Sequence, residues 1–141
     1  MIPAAFDYKA PTNLDEALQL LAEGGDDAKI IAGGQSLLPV LKLRLAAPEL
    51  VIDLAKIDSL KGVRDDGEAI VIGAMTPYFE VVGDPLVAEH ASLIARCVET
   101  VADPQVRHRG TIGGACAHAD PAGDLPAPMV ALDAEFVIAG P

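Results

Sequence analysis

Apolar residues recur three and four places apart at Leu14, Ala17, Leu18, Leu21 and Ala22, one face of a helix. Thr12-Asn13 ahead of that face and Gly24-Gly25 behind it are start and stop signals, and Asp15 and Glu16 suit its positive end. Shorter apolar runs at 6–8, 29–32 and 50–54 read as strands. Between the second and third strands, Leu37, Leu38, Val40 and Leu41 predict a short helix. Ser36 is its expected cap, Pro39 falls early in it, and Pro48 helps to end the segment. This β-α-β-α-β alternation predicts a small parallel sheet.

Beyond Ile57 the pattern changes. Residues 60–64 and 69–73 flank Asp65-Asp66-Gly67-Glu68, an antiparallel hairpin signal. A short helix is expected over 76–82 despite Pro77, and a longer one over 85–102. Residues 103–128 are rich in proline and glycine and predict an ordered functional loop. An apolar helix near 125–132 and a strand over 134–138 complete the prediction. The class is α+β, with a parallel lobe at 1–56 and an antiparallel or mixed-sheet lobe with helices at 57–141.

With 141 residues the chain has the size of one domain, possibly in two lobes. Half of its residues are hydrophobic (51%), yet no apolar run approaches the roughly 20 residues that a bilayer helix needs. The opening MIPAAFDYKAP lacks the basic-then-apolar order of a secretory signal, which predicts a cytoplasmic protein with no membrane span. A net charge of −11 removes nucleic-acid binding from consideration, because no basic cluster offsets it. Two cysteines are too few to hold an iron–sulfur cluster, and a cytosolic disulfide is disfavoured. Cys97 shares a helical pattern with Leu93, Ile94, Val98 and Val101 and is expected to be a buried small hydrophobe.

Two segments carry candidate chemistry. IAGGQS, residues 31–36, takes a strand into a glycine pair and a capped helix start, a way to aim several N–H groups at one phosphate. A plain turn also uses glycine, and neither common nucleotide-binding glycine spacing is present. TIGGAC, residues 111–116, follows Arg107-His108-Arg109-Gly110 and repeats the device. Together the two pairs favour a dinucleotide pyrophosphate, held by local N–H dipoles because the net charge repels it. Hydrogen bonds to phosphate contribute roughly 1.5–3 kcal/mol each, so three or four offset that repulsion.

The stretch His118-Ala119-Asp120-Pro121-Ala122-Gly123-Asp124 admits several readings. His118, Asp120 and Asp124 suit a metal site or an acid/base pair. Asp124 alone suits a ribose, and both aspartates suit turn or helix caps. Cys116-Ala117-His118 lacks a second ligand pair at zinc spacing. No serine elbow is present, so nucleophilic catalysis by a serine finds little support.

The segments AGGQSLLPVLKLRLAAPELVIDL, VIGAMT and ADPQVRHRGTIGGACAHADPAGDLP resemble, in order and over nearly the whole chain, the FAD-binding medium subunit of the molybdenum hydroxylases. That family includes xanthine dehydrogenase-like and carbon monoxide dehydrogenase-like enzymes. The resemblance implies the FAD-binding fold of the vanillyl-alcohol oxidase type, with FAD as cofactor. It assigns cofactor binding to Lys29, Ile30, Ile31, Ala32, Gly33, Gly34, Gln35 and Ser36, and then to Val101, Thr111, Gly113, Gly114, the backbone at Ala115, and Asp124. Many members have Asn after the second glycine pair, where this chain has Ala115.

It further implies electron flow from a molybdenum-cofactor large subunit through an iron–sulfur small subunit to FAD, and then to an external acceptor. The family's C-terminal flavin-covering domain is missing, so the chain is expected to be an N-terminal part. Two alternatives are an assembly domain without FAD and a metal-assisted hydrolase using His118, Asp120 and Asp124.

Overall fold

The computed structural model describes residues 1–140 and divides into two compact units: Met1–Ser59 with the residues from Val137 onward, and Leu60–Phe136. The class is α+β, as expected.

In the first unit, β1 (Asp7–Lys9), β2 (Ala28–Ile31) and β3 (Leu50–Asp53) form a parallel sheet in the order β1-β3-β2. Asp7 and Ala28 both pair with Leu50, so the last strand in sequence lies centrally. Its Val51 and Ile52 are fully buried, which suits an apolar run covered on both faces. The helix α1 (Leu14–Gly24) joins β1 to β2. The Asn13 side chain accepts from Glu16 N–H at 2.8 Å, and the Glu16 carboxylate accepts from Thr12 N–H at 3.2 Å, so side chains satisfy two free donors at its start. Gly25, at φ 52°, ends it as the glycine pattern predicted.

The helix α2 (Leu37–Lys42) follows the first glycine pair, but two expectations about it are corrected. Ser36 is at the cap position with helical φ and ψ, and its side chain makes no capping bond. Termination comes at Leu43 and at Arg44, whose φ is 57°, several residues before Pro48.

In the second unit β4 (Val63–Asp65) and β5 (Ile70–Ile72) form the predicted antiparallel hairpin. Its turn is held by side chains: Asp65 Oδ1 accepts from Gly67 N–H, and Asp66 Oδ1 accepts from Glu68 and Ala69 N–H. The two N–H bonds hold the Asp66 carboxyl below its usual range. The helix α3 (Tyr78–Gly83) starts immediately after Pro77.

The expected long helix over 85–102 is two helices, α4 (Pro85–His90) and α5 (Ser92–Thr100). Ala91 leaves the helical region at φ −140°, ψ 41° and is buried. The break lets α4 pack on the hairpin while α5 packs on α3 and the last helix, with Val87, Ala91, Ile94 and Val98 all kept in one core. His90 ends α4 and is half-exposed.

The expected loop over 103–128 is also corrected. It contains α6 (Pro104–Arg107) and α7 (Ile112–His118), and α8 (Pro126–Ala131) starts before its end. Tyr78, Val81, Ile112, Leu125 and Met129 complete the core of this unit. The strand expected over 134–138 does not form. Among the described residues none pairs with it as a strand, and Val137 is fully exposed. A β-favouring sequence without a ladder partner leaves its backbone to water.

Candidate functional site

The first glycine pair lies at the carboxyl end of β2, on the edge of a parallel sheet where ligands are commonly bound. Gly34 has φ 75° and is buried, and its carbonyl accepts from Leu38 N–H at 3.0 Å. A Cβ there would lie 3.0 Å from Leu38 Cδ1 and 3.2 Å from Ile31 Cδ1, so both the dihedral and the space call for glycine. Gln35 Nε2 donates to Gly33 O at 3.4 Å across the turn. Among the described residues, none accepts from the N–H groups of Gly33, Gly34, Gln35 or Ser36. A turn with four unspent donors suits an anion without help from net charge. Of the neighbours assigned with it, Lys29 and Ile30 are exposed, while Ile31 and Ala32 are half-buried.

The second pair is built differently. Gly113 and Gly114 lie within the first turn of α7, and the segment 110–113 is fastened to 74–78. Tyr78 N–H donates to Gly110 O at 2.9 Å, Ile112 N–H to Thr76 O at 3.2 Å, and Gly113 N–H to Ala74 O at 2.8 Å. Thr111 is buried, and its Oγ1 accepts from Gly114 N–H at 3.1 Å as the helix cap. Ala115 N–H donates to Thr111 O at 3.1 Å inside the helix. The expectation of bare amides at this pair is thus corrected, since every N–H from Ile112 to Ala115 already has an acceptor in the chain. A Cβ at Gly113 would lie 2.5 Å from Ala74 Cβ and 2.7 Å from Ala74 O, so this glycine serves close backbone approach.

Val101 caps the end of α5, and its carbonyl accepts from Arg107 Nη1 at 2.9 Å, which ties α6 back to α5. His108 stacks on Phe79 with ring centroids 4.4 Å apart. The Asp124 carbonyl accepts from Cys97 Sγ at 3.2 Å. Cys97, expected as a buried small hydrophobe, is half-buried against the core of this unit and also hydrogen-bonded, and burial pushes its thiol and that of Cys116 up.

Asp120 takes the turn role: its carboxylate accepts from Ala122 N–H at 2.9 Å. Asp124 is exposed, and the cap of α8 is Leu125, with no side-chain capping bond, so the Asp124 carboxylate is not spent as one. Among the described residues no three His, Cys, Asp or Glu side chains gather closely enough to hold a metal ion, so His118, Asp120 and Asp124 form no such group.

One pair escaped sequence reasoning. Tyr8 Oη donates to Asp53 Oδ2 at 2.6 Å, and Asp53 Oδ1 accepts from Ala55 N–H at 2.8 Å. The carboxylate raises the Tyr8 phenol above its ordinary value, mainly through that bond. Asp53 is paired in register with Ile31, which leads into the first glycine turn. The partners lie 45 residues apart, and no local signal joins them.

Residues 4–141 match the family described as the FAD binding domain in molybdopterin dehydrogenase. The carbon monoxide dehydrogenase medium chain of Hydrogenophaga pseudoflava is 49% identical over 141 residues, covering 100% of this chain and 49% of the relative. The glyceraldehyde dehydrogenase medium chain of Sulfolobus acidocaldarius is 39% identical over 138 residues, covering 98% of this chain and 49% of the relative. Among solved structures, carbon monoxide dehydrogenase from Hydrogenophaga pseudoflava lacking the Mo-pyranopterin moiety superposes with a TM-score of 0.88. The identity there is 50%, over 90% of this chain and 44% of that one. The chain spans about half the length of the curated relatives it matches.

Proposed function

Because the chain belongs to the FAD-binding domains of molybdopterin dehydrogenases, we propose that it holds FAD as the electron-transfer element of a molybdenum hydroxylase. The observation that carries this reading is the turn at Gly33, Gly34, Gln35 and Ser36, with unspent N–H groups and a glycine conformation that keeps side chains out of the way. Lys29 through Ala32 deliver the strand into that turn, and its donors are assigned to the cofactor's diphosphate.

The segment from Thr111 to Ala115 is assigned a share by a different route. Gly114 N–H is held only by the Thr111 hydroxyl, and rotation of that side chain frees both groups to face a phosphate. Gly113 and Ala115 contribute the backbone path rather than donors. Val101 offers an apolar contact, and the unspent Asp124 carboxylate suits a ribose hydroxyl. FAD itself supplies the electron chemistry when bound; these residues bind and orient it. No residue of the chain is assigned as catalytic acid, base or nucleophile.

The wider role is that of a medium subunit in the cytoplasm. It would take electrons from an iron–sulfur subunit, which is fed by a molybdenum-cofactor subunit, and pass them to an external acceptor. A further C-terminal domain would cover the flavin.

The test is direct. Titration of the full 141-residue chain with FAD should quench flavin fluorescence, and denaturation of the loaded protein should release FAD. Thr111→Val should weaken that binding. Failure to bind FAD, with the fold intact by circular dichroism, would favour an assembly domain without cofactor.

A further inference from the structure

Asp53 places a carboxylate on the central strand of the parallel sheet, at the same edge as the first glycine turn. Its register partner is Ile31 on β2, and Gly33 is two residues further, about 7 Å along an extended chain. Asp53 is the one acidic residue of β3, at the end of the strand whose register leads to the turn, and so the strand's one group that could compete for the turn's N–H donors. It does not, because both of its oxygens are engaged: Oδ1 by Ala55 N–H and Oδ2 by the Tyr8 hydroxyl. Tyr8 belongs to β1, and with the order β1-β3-β2 its bond draws the carboxylate toward the side of the sheet away from β2.

We propose that Tyr8 is a positioning residue that pins the Asp53 carboxylate on the β1 side, so that the donors of the Gly33–Gly34 turn stay open to the diphosphate of FAD. This rests on the assignment of that turn to FAD made above. In Tyr8→Phe the bond to Oδ2 is lost while the ring's packing is retained. With Oδ1 still held by Ala55 N–H but Oδ2 released, the carboxylate then acts as an internal anion, repelling the diphosphate and offering Oδ2 to the same N–H groups. Nothing covalent changes, and Asp53 and Tyr8 need not touch the cofactor.

The test measures the FAD dissociation constant by fluorescence quenching for the wild-type chain, Tyr8→Phe, Asp53→Asn and the double variant, at low and high salt. Melting curves for each report the fold. Tyr8→Phe is expected to weaken binding about three- to tenfold at low salt and less at high salt, as for one exposed charge acting across several ångströms. Asp53→Asn keeps an acceptor for Ala55 N–H but carries no charge, so it should bind FAD as tightly as the wild type or about threefold tighter. The double variant should follow Asp53→Asn, cancelling the effect of Tyr8→Phe.

If Asp53→Asn weakens binding as much as Tyr8→Phe does, the pair is only a strand fastener and the proposal is overturned. An unchanged dissociation constant in Tyr8→Phe overturns it equally, while leaving the FAD assignment in place. A wild-type chain that binds no FAD overturns both.

Discussion

Gly113→Ala isolates the close approach that holds the start of α7. The new methyl carbon would meet Ala74 Cβ at 2.5 Å, Ala74 Cα at 2.7 Å and Ala74 O at 2.7 Å, contacts that real Cβ atoms do not make. Two of these atoms are backbone, so the helix start has to move. Overpacking of this kind costs about 1–3 kcal/mol. The displacement also stretches the bond from Gly113 N–H to Ala74 O, now 2.8 Å, a further loss of about 1 kcal/mol. Against this, alanine is favoured over glycine within a helix by about 1 kcal/mol. The balance is a destabilisation of about 1–3 kcal/mol, or a melting temperature lower by about 4–12 °C for a chain of this size.

Thermal unfolding followed by far-ultraviolet circular dichroism measures it, with Gly83→Ala as the matched control. Gly83 is also helical, and a Cβ there has nothing within 4 Å, so the same chemical change should be neutral or slightly stabilising. If the two variants melt at the same temperature, the tight packing of α7 on Ala74 is refuted.

Two further outcomes are expected. Asp84→Ala removes the carboxylate that accepts from Leu86 N–H at 2.9 Å and Val87 N–H at 3.2 Å, and should cost about 1–2 kcal/mol in a denaturant titration, while Asp84→Asn should retain most of it. Burial, aided by Cys116, Asp124 and Cys97, pushes the Tyr78 phenol from its ordinary 10.0 up to about 12. Because the unfolded state releases that proton first, the Tyr78 contribution to stability should be steady below pH 10 and be lost between pH 10 and about 12, and Tyr78→Phe should flatten the slope in that window.

Much of the fold was legible because it is encoded over a few residues. Asn13 and Gly25 bound α1 through their own side chain and dihedral, and Asp65-Asp66-Gly67 closes its hairpin with its own carboxylates. The break at Ala91 was not legible. Val87, Ala91, Ile94 and Val98 keep helical spacing straight through it, since both halves bury one continuous stripe. The helices hidden in 103–128 left a signal that was misread. Asp103-Pro104 is a cap followed by a first-turn proline, as Asp84-Pro85 is, and proline there starts a helix rather than excluding one. Asp120-Pro121 carries the same letters and makes only a turn, so the dipeptide alone does not decide.

The two glycine pairs show why a site is harder to read than a fold. Both remove side chains after an apolar residue, one just before a short helix and the other in its first turn, yet one leaves its donors open and the other spends them. What separates them is the Ala74 carbonyl, brought against Gly113 from a segment remote in sequence, and the Thr111 hydroxyl, which takes the Gly114 N–H. Glycine announces that something must come close; whether a ligand or the chain's own backbone does so depends on what the fold sets opposite. The same holds for Asp53 near the first turn, whose carboxylate is engaged by a hydroxyl from another strand. Which polar groups at this sheet edge stay open is therefore decided by neither the glycines nor the carboxylate alone, but by the hydrogen bonds that the fold sets around them.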